Sequence, residues 1–275
     1  MNLSRRHWLQ TAALVSGVTL LPIQAAHAST RRVERPGVQL YTLREAMMRD
    51  AAATLAAVAA AGYAEVELAG TGNLDAAQFA QALRSSGLSA PAAHVPLDAI
   101  RNQPDQLLEQ AKVIGCTYLV LPWIAPDLRN TAGYTAVIET LNRFGGQCEK
   151  AGVQLAYHNH DFEFARVDGE IAYDRLLREC DRELVKFELD LYWVTHAGAD
   201  GAAYLSATPE RFPLCHVKDR SASGEMVDVG QGTINFVELF AAGSGLRHYF
   251  VEHDQPKDAL ASILTSVKAL KEIRF

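Results

Sequence analysis

The sequence predicts a (β/α)8 TIM barrel, and three observations carry that expectation. Short apolar or β-branched runs alternate with longer helical ones eight times from Gly37 to the C-terminus, over the roughly 200–250 residues such a barrel needs. The short runs are almost continuously apolar, as parallel strands covered by helices on both sides should be. Gly62, Gly87, Gly115 and Gly152 each stand just past a helical run, where a left-handed cap ends a helix. A doubly wound open sheet is the competing class. It would use fewer strands and a glycine-rich first turn, and the first turn here, Tyr41-Thr42-Leu43-Arg44, has no glycine.

Taken in order, the predicted strands are Gly37–Tyr41, Ala64–Leu68, Leu88–His94, Tyr118–Pro122, Gln154–His158, Val185–Asp190, Leu214–Val217 and Tyr249–Glu252. The predicted helices are Asp50–Ala61, Asp75–Ser85, Pro104–Ile114, Thr131–Ala151, Tyr173–Cys180, Asp200–Ala207, Asn235–Ala241 and Lys257–Ile273. The alanine-rich run 51–61 favours helix by propensity. Asp75 precedes an apolar-periodic run and suits an N-cap. No linker or charge run divides the chain after Arg35, so a single domain is expected over residues 37–275, preceded by a polar connector at 29–36.

Residues 1–28 read as a leader. Ser4-Arg5-Arg6-His7-Trp8-Leu9-Gln10 precedes an apolar run from Ala12 to Ile23 that Ala26-His27-Ala28 closes. That order is a charged region, an apolar region and a small-x-small cleavage site. The paired arginines resemble a twin-arginine export signal. Periplasmic localisation is therefore expected, with no stable membrane association after cleavage. Formal charge is −6 for the whole chain; losing Arg5 and Arg6 leaves 24 basic against 32 acidic residues, or −8. No basic block occurs in the body of the chain, which argues against a nucleic-acid partner. Cys116, Cys148, Cys180 and Cys215 are widely spaced, with no C-x-x-C pair. They read as small buried residues, with a disulfide left open in an oxidising compartment.

In a TIM barrel the C-terminal strand ends converge on one mouth, where active sites sit. Here those ends carry Tyr41, Glu67, His94, Trp123, His158 with His160, Asp190, His216 with Lys218, and Glu252. The segment Tyr157-His158-Asn159-His160-Asp161-Phe162-Glu163-Phe164 is the densest of them. His158, Asp190, His216 and Glu252 come one each from the last four exits, and a mixed imidazole–carboxylate set suits a divalent ion such as Mn²⁺, Zn²⁺, Co²⁺ or Fe²⁺. Each has a plainer alternative: Asp190 as a helix N-cap, His216 as a core histidine, Glu252 as a rim acid. Glu67 and His94 are expected to face substrate. Tyr41, Trp123 and Trp193 are candidate substrate contacts, the tryptophans as sugar platforms or as core. The Gly230-Gln231-Gly232 stretch permits close backbone approach but lacks the lysine of a P-loop.

These segments together resemble the xylose isomerase-like TIM-barrel superfamily of sugar phosphate isomerases and epimerases. The carriers are Ala64-Glu65-Val66-Glu67-Leu68, Tyr157-His158-Asn159-His160, Leu189-Asp190, His216-Val217-Lys218-Asp219, Gly230-Gln231-Gly232-Thr233-Ile234 and Val251-Glu252. Relatives include keto-sugar epimerases, hydroxypyruvate isomerase, inosose dehydratase and, more remotely, endonuclease IV. The resemblance implies one divalent metal ion, Mn²⁺ first among Mn²⁺, Zn²⁺, Co²⁺, Fe²⁺ and Mg²⁺. The family's Glu, Asp, His and Glu ligands carry over to His158, Asp190, His216 and Glu252. The first departs: histidine stands where epimerases of the family have a strand-five glutamate. A symmetric two-base epimerisation is thereby put in doubt, unless Glu163 supplies a second carboxylate.

The expected reaction is α-proton abstraction from a keto sugar or keto-glycoside to a metal-stabilised enediolate. Glu252 is the first candidate base and Glu163 the second, with Lys218 or His160 as proton donor. A lyase or dehydratase on the same site is the alternative. A non-catalytic periplasmic sugar binder is the alternative from another class. A nuclease would need more metal ligands and a basic face.

Overall fold

The computed structural model describes residues 31–275; the leader expected at 1–28 lies outside the described residues. Eight strands form one closed, parallel barrel: β1 (Pro36–Gln39), β2 (Glu65–Leu68), β3 (Ser89–His94), β4 (Tyr118–Leu121), β5 (Gln154–His158), β6 (Val185–Asp190), β7 (Leu214–Val217) and β8 (His248–Val251). Each pairs with its neighbours in sequence, and β8 pairs with β1. Around them lie α1 (Arg44–Ala61), α2 (Ala76–Ser86), α3 (Leu97–Asn102), α4 (Pro104–Ile114), α5 (Thr131–Ala151), α6 (Ala172–Glu179), α7 (Leu191–His196), α8 (Gly201–Ala207), α9 (Phe236–Ala242) and α10 (Ala259–Glu272). None of the described helices is long and apolar enough to cross a membrane.

The helix signals act locally. The four stop glycines all take left-handed backbone, φ between 68 and 98°, where a Cβ would be strained. Asp75 accepts from the Gln78 backbone while Gln78 reaches back to Asp75, a full capping box. Helix α1 begins earlier than the alanine run because Asp50 (φ −157°, ψ 91°) breaks it into two. The Asp50 carboxylate then recaps the second half at the Ala53 N–H, 2.9 Å away. Residues 31–35, expected as a connector, pack on the N-terminal end of the barrel. The Arg31 carbonyl accepts the Phe275 N–H at 3.0 Å, and Arg35 Nε donates to Glu65 at 2.8 Å.

The barrel interior has three levels. At the bottom, His248 Nδ1 lies 2.7 Å from Glu65, which Arg35 also holds. The middle level is a small apolar core of its own: Ala92, Val120, Ala156, Leu214 and Phe250. The ring of Phe250 fills the space left by alanines and by Gly37, and burying such a ring contributes roughly 2–3 kcal/mol. The top level is almost wholly ionisable. One irregularity sets its geometry. Between the pairs Glu65↔Ser89 and Glu67↔Ala92 the register slips by one residue, at Pro91, which has no N–H for the ladder. The bulge pairs Ala92 with Glu67.

A Cβ on Gly37 would lie 2.5 Å from Phe250 Cδ1 and 3.1 Å from the Tyr249 carbonyl oxygen. Gly37→Ala should destabilise the chain by about 1–3 kcal/mol through overpacking; an unchanged urea midpoint would contradict this packing of the middle level.

Candidate metal centre and substrate cavity

His158 ends β5, Asp190 ends β6, His216 lies in β7 and Glu252 directly follows β8. One ligand atom from each lies within 4.8 Å of all the others, and all four residues are buried. His158 Nε2 is 3.2 Å from Asp190 Oδ2, and His216 Nδ1 is 2.8 Å from Glu252 Oε2 and 3.6 Å from Asp190 Oδ2. Asp190 works with both oxygens. Oδ1 caps α7 by accepting the N–H groups of Tyr192 and Trp193 at 3.0 and 2.8 Å; Oδ2 faces the cluster. Its own N–H donates to the buried Asn159 side chain at 3.0 Å. The N-cap and the ligand readings of Asp190 are thus compatible.

Directly beneath lies a second cluster of Glu67, His94, Glu188 and His216, whose side-chain atoms could also hold a cation. Glu67 Oε2 is 2.6 Å from His216 Nε2 and accepts from Gln39 Nε2 at 2.8 Å. Glu188 Oε2 lies 3.2 Å from both His94 Nε2 and His216 Nε2. A carboxylate on one imidazole nitrogen fixes the proton there and leaves the other nitrogen as a lone pair. Glu67 and Glu188 would do this to His216 with a cation at Nδ1: Nε2–H donates downward, and Nδ1 points up toward Asp190 and Glu252.

The set fits a divalent ion. His216 Nδ1 is buried with no partner in hydrogen-bond geometry, although Glu252 is only 2.8 Å away. Short contact without donor alignment is what groups converging on a shared cation show. Burial disfavours an imidazolium at His216, yet Glu188 and Glu252 outweigh it and raise its pKa well above the ordinary value. The surrounding carboxylates therefore call for positive charge at that nitrogen, which a cation would also supply.

Lys218 shares the same charges. Its ammonium is 2.6 Å from Glu252 Oε2 and 3.0 Å from Asp190 Oδ2. The contact that meets hydrogen-bond geometry is the one to Asp254 Oδ1, at 2.8 Å. Burial opposes the ammonium, but Asp190, Glu252 and Asp254 hold its pKa well above the usual lysine value. Asp254 gives Lys218 an anchor on the cavity side of the cluster, while its ammonium also touches the two carboxylate oxygens that converge there.

Above the cluster opens a cavity of about 820 Å³. Tyr41, His94, Trp123, His158, His160, Lys218, Glu252 and Asp254 are among the residues lining it. Burial and the neighbouring His158 and Lys218 push the His160 imidazole down to about 2, so His160 is neutral. Three expected contacts are placed elsewhere. Glu67 is fully buried under His216, because β2 turns it into the barrel interior rather than toward substrate. Glu163 is fully buried and faces away from the cavity: it accepts Tyr157 O–H at 2.6 Å and the His160 N–H at 2.8 Å. Trp193 sits behind the lining, its ring 5.4 Å from that of His160. Asp254 escapes a reading of strand ends because it lies three residues past the last strand. Glu188 was missed as a site residue because Asp190 overshadowed it; the two-residue spacing was the available signal.

The Gly230–Gly232 stretch wraps a carboxylate of its own chain. Asp219 Oδ2 accepts the N–H groups of Gly230 and Gly232, both at 3.0 Å, and Oδ1 accepts those of Arg220 and Ile234. A Cβ at Gly232 would collide with Asp219. The four cysteines are free and buried.

A family model described as xylose isomerase-like TIM barrel matches residues 55–251. The chain belongs to this family. Its solved neighbours include a sugar phosphate isomerase/epimerase from Parabacteroides distasonis, 25% identical, TM-score 0.75, covering 91% of this chain and 98% of that one. The IOLI protein, whose structure holds a zinc atom, is 16% identical with TM-score 0.69, covering 86% and 96%. An L-ribulose 3-epimerase is 16% identical with TM-score 0.64, covering 85% and 92%. The last two show the shared fold. Among curated proteins, none matches the chain. Within this xylose isomerase-like barrel, β5 to β8 each supply one residue of the buried cluster.

Burial raises the Glu163 carboxyl from 4.5 to about 7, although Tyr157 and the His160 N–H favour its ionised form. An acid weakened by folding stabilises the folded chain below its unfolded pKa and loses that contribution as pH rises through the folded one. Stability should fall by about 3 kcal/mol between pH 4.5 and 8 from this residue. In Glu163→Gln that part of the decline should vanish, as read from urea unfolding across the pH range.

Proposed function

We propose that the chain is a divalent-metal-dependent enzyme of the sugar isomerase/epimerase type, acting on a keto sugar or keto-glycoside by α-proton abstraction. The observation that carries this reading is the convergence of His158, Asp190, His216 and Glu252 on one point at the floor of the cavity. Those four would hold the ion. Bound there, a divalent cation supplies Lewis-acid polarisation of a carbonyl and of the hydroxyl next to it. The zinc in the IOLI neighbour and the activities in the other neighbours' names support the reading.

The chain's own groups divide the remaining work. Glu252 is the carboxylate that belongs both to the cluster and to the cavity lining. Burial opposes its ionisation, but Lys218 and His216 outweigh that and hold its pKa well below the ordinary value. It is therefore ionised, and the Lys218 and His216 contacts that hold it so must loosen as it takes a proton. Lys218, aimed into the cavity by Asp254, offsets negative charge growing on a substrate oxygen. Asp254, whose pKa burial raises while Lys218 lowers it, accepts from the Lys218 ammonium and holds it at the cavity. His160, neutral and cavity-facing, orients a hydroxyl. Tyr41 and Trp123, both near half exposed at the rim, offer faces to a sugar ring.

A second reading, β-elimination or hydration of a keto-glycoside, rests on a specific observation. With Glu163 turned away and His158 in place of an acid, the cavity holds acidic groups on the Glu252–Asp254 side and imidazoles on the other. One-sided proton transfer suits a lyase as well as an isomerase. Product mass separates the two, since an isomer keeps the substrate mass and elimination loses the leaving group. We also propose, from the leader motif, that the enzyme works in the periplasm on a free sugar or glycoside; cell fractionation of the full-length chain tests this.

Chelation should abolish α-proton exchange of keto sugars in D₂O, and added Mn²⁺ or Zn²⁺ should restore it. Exchange that survives metal removal would overturn the proposal. Glu252→Gln should lower exchange by about 10²–10⁴-fold. Glu67→Gln removes the negative charge that holds the proton on His216 Nε2 and should weaken metal affinity by about 10–100-fold, measured by competition with a chelating dye; unaltered affinity would contradict the role given to the lower layer.

A further inference from the structure

We propose that the cavity has a second compartment, an apolar arm, and that it binds an aryl or alkyl group attached to the sugar. The inference rests on the sugar reading above and narrows its substrate class to glycosides or sugar derivatives with an apolar substituent.

Two observations point to it. The cavity lining does not stop at the polar mouth. It continues past the loop after β2 and along a wall built from Leu68, Ala93, Leu107, Ala111, Ile114 and Leu119. Leu107, Ala111 and Ile114 repeat at four and three residues, so they form one face of α4. Leu68, Ala93 and Leu119 come from β2, β3 and β4, on the side of the sheet turned away from the barrel axis. Second, the α4 face and outward-facing residues of β2, β3 and β4 line one and the same cavity, so space is left between the two layers. The helix layer thus stands off the sheet where the arm runs.

Size and chemistry both argue against a bare sugar there. About 820 Å³ falls at the upper end of the roughly 300–1,000 Å³ typical of sites for drug-sized ligands. The arm offers a sugar hydroxyl almost no partner, and an unpaired buried hydroxyl is unfavourable. An apolar group suits the same wall. The sugar ring would then sit over Glu252, Lys218 and His160, with its substituent directed between α4 and β2–β4. Exposed Gln110 marks the outer end of the arm, where a longer substituent would reach water. The thiol of Cys116, which burial pushes up to about 12, is an inert part of the wall.

Isothermal titration of the full chain with matched methyl, phenyl and naphthyl glucosides tests this without turnover. Phenyl and naphthyl glucosides should bind at least tenfold more tightly than methyl glucoside, with a negative heat-capacity change. Ala111→Phe, or Ile114→Trp if the first variant does not fold, should erase that advantage and leave methyl glucoside binding unchanged. Equal affinity across the series, or an aryl advantage that survives filling the arm, would overturn the inference. Its failure is separable from that of the proposed reaction. Proton exchange on small keto sugars with no aryl preference removes the arm alone. Aryl binding with no exchange on any keto sugar removes the reaction alone.

Discussion

Buried charge at the top of the barrel is the constraint on which the structure depends. Glu67, His158, Glu188, Asp190, His216, Lys218 and Glu252 are each 5% exposed or less. Taking one such ion out of water costs several kcal/mol, and a partner repays this only with good geometry. No single pair here is isolated. Lys218 meets three carboxylates, and His216 meets four. The group is tolerable only as a whole, and only while β2 to β8 hold their ends in register.

The rest of the interior serves that register. The lower ion group of Arg35, Glu65 and His248 closes the bottom. The ring of Phe250 among alanines gives a rigid floor one level up. The bulge in β3 pairs Ala92 with Glu67, and His94, two residues on, reaches Glu67 and Glu188 at 3.4 and 3.2 Å. Above the floor, Glu67 and Glu188 have no route to solvent; their chemistry reaches the cavity only through the imidazoles they orient. This layering separates positioning groups from groups that meet substrate.

The cavity itself is asymmetric. Acidic groups and Lys218 gather on the β7–β8 side, imidazoles on the β3–β5 side, and the apolar wall lies beyond β2 to β4. Glu163, which sequence proximity to His160 suggests as a base, instead holds the loop that presents His160. Its two hydrogen bonds, from Tyr157 and from the His160 backbone, make it a brace. The carboxylates that reach the cavity therefore lie on one side of it.

Alternation of apolar strands with helices, glycine stops and capping residues determined the barrel from sequence, because these signals are local and each acts within a few residues. The same logic located the strand ends, so His158, Asp190, His216 and Glu252 could be read as neighbours once closure was assumed. Short helices escaped: α3 and α7 span six residues each, too few to show a period. Which side of the wall a residue takes needed the tertiary structure. Glu67 and Glu163 are carboxylates beside strand exits like Glu252, yet strand register buries the first and a loop turn buries the second. The partner that claims each nitrogen and oxygen, and the gap between α4 and the sheet, depend on contacts between residues far apart in the chain. Sequence spacing does not encode such contacts, so only the packed fold decided them.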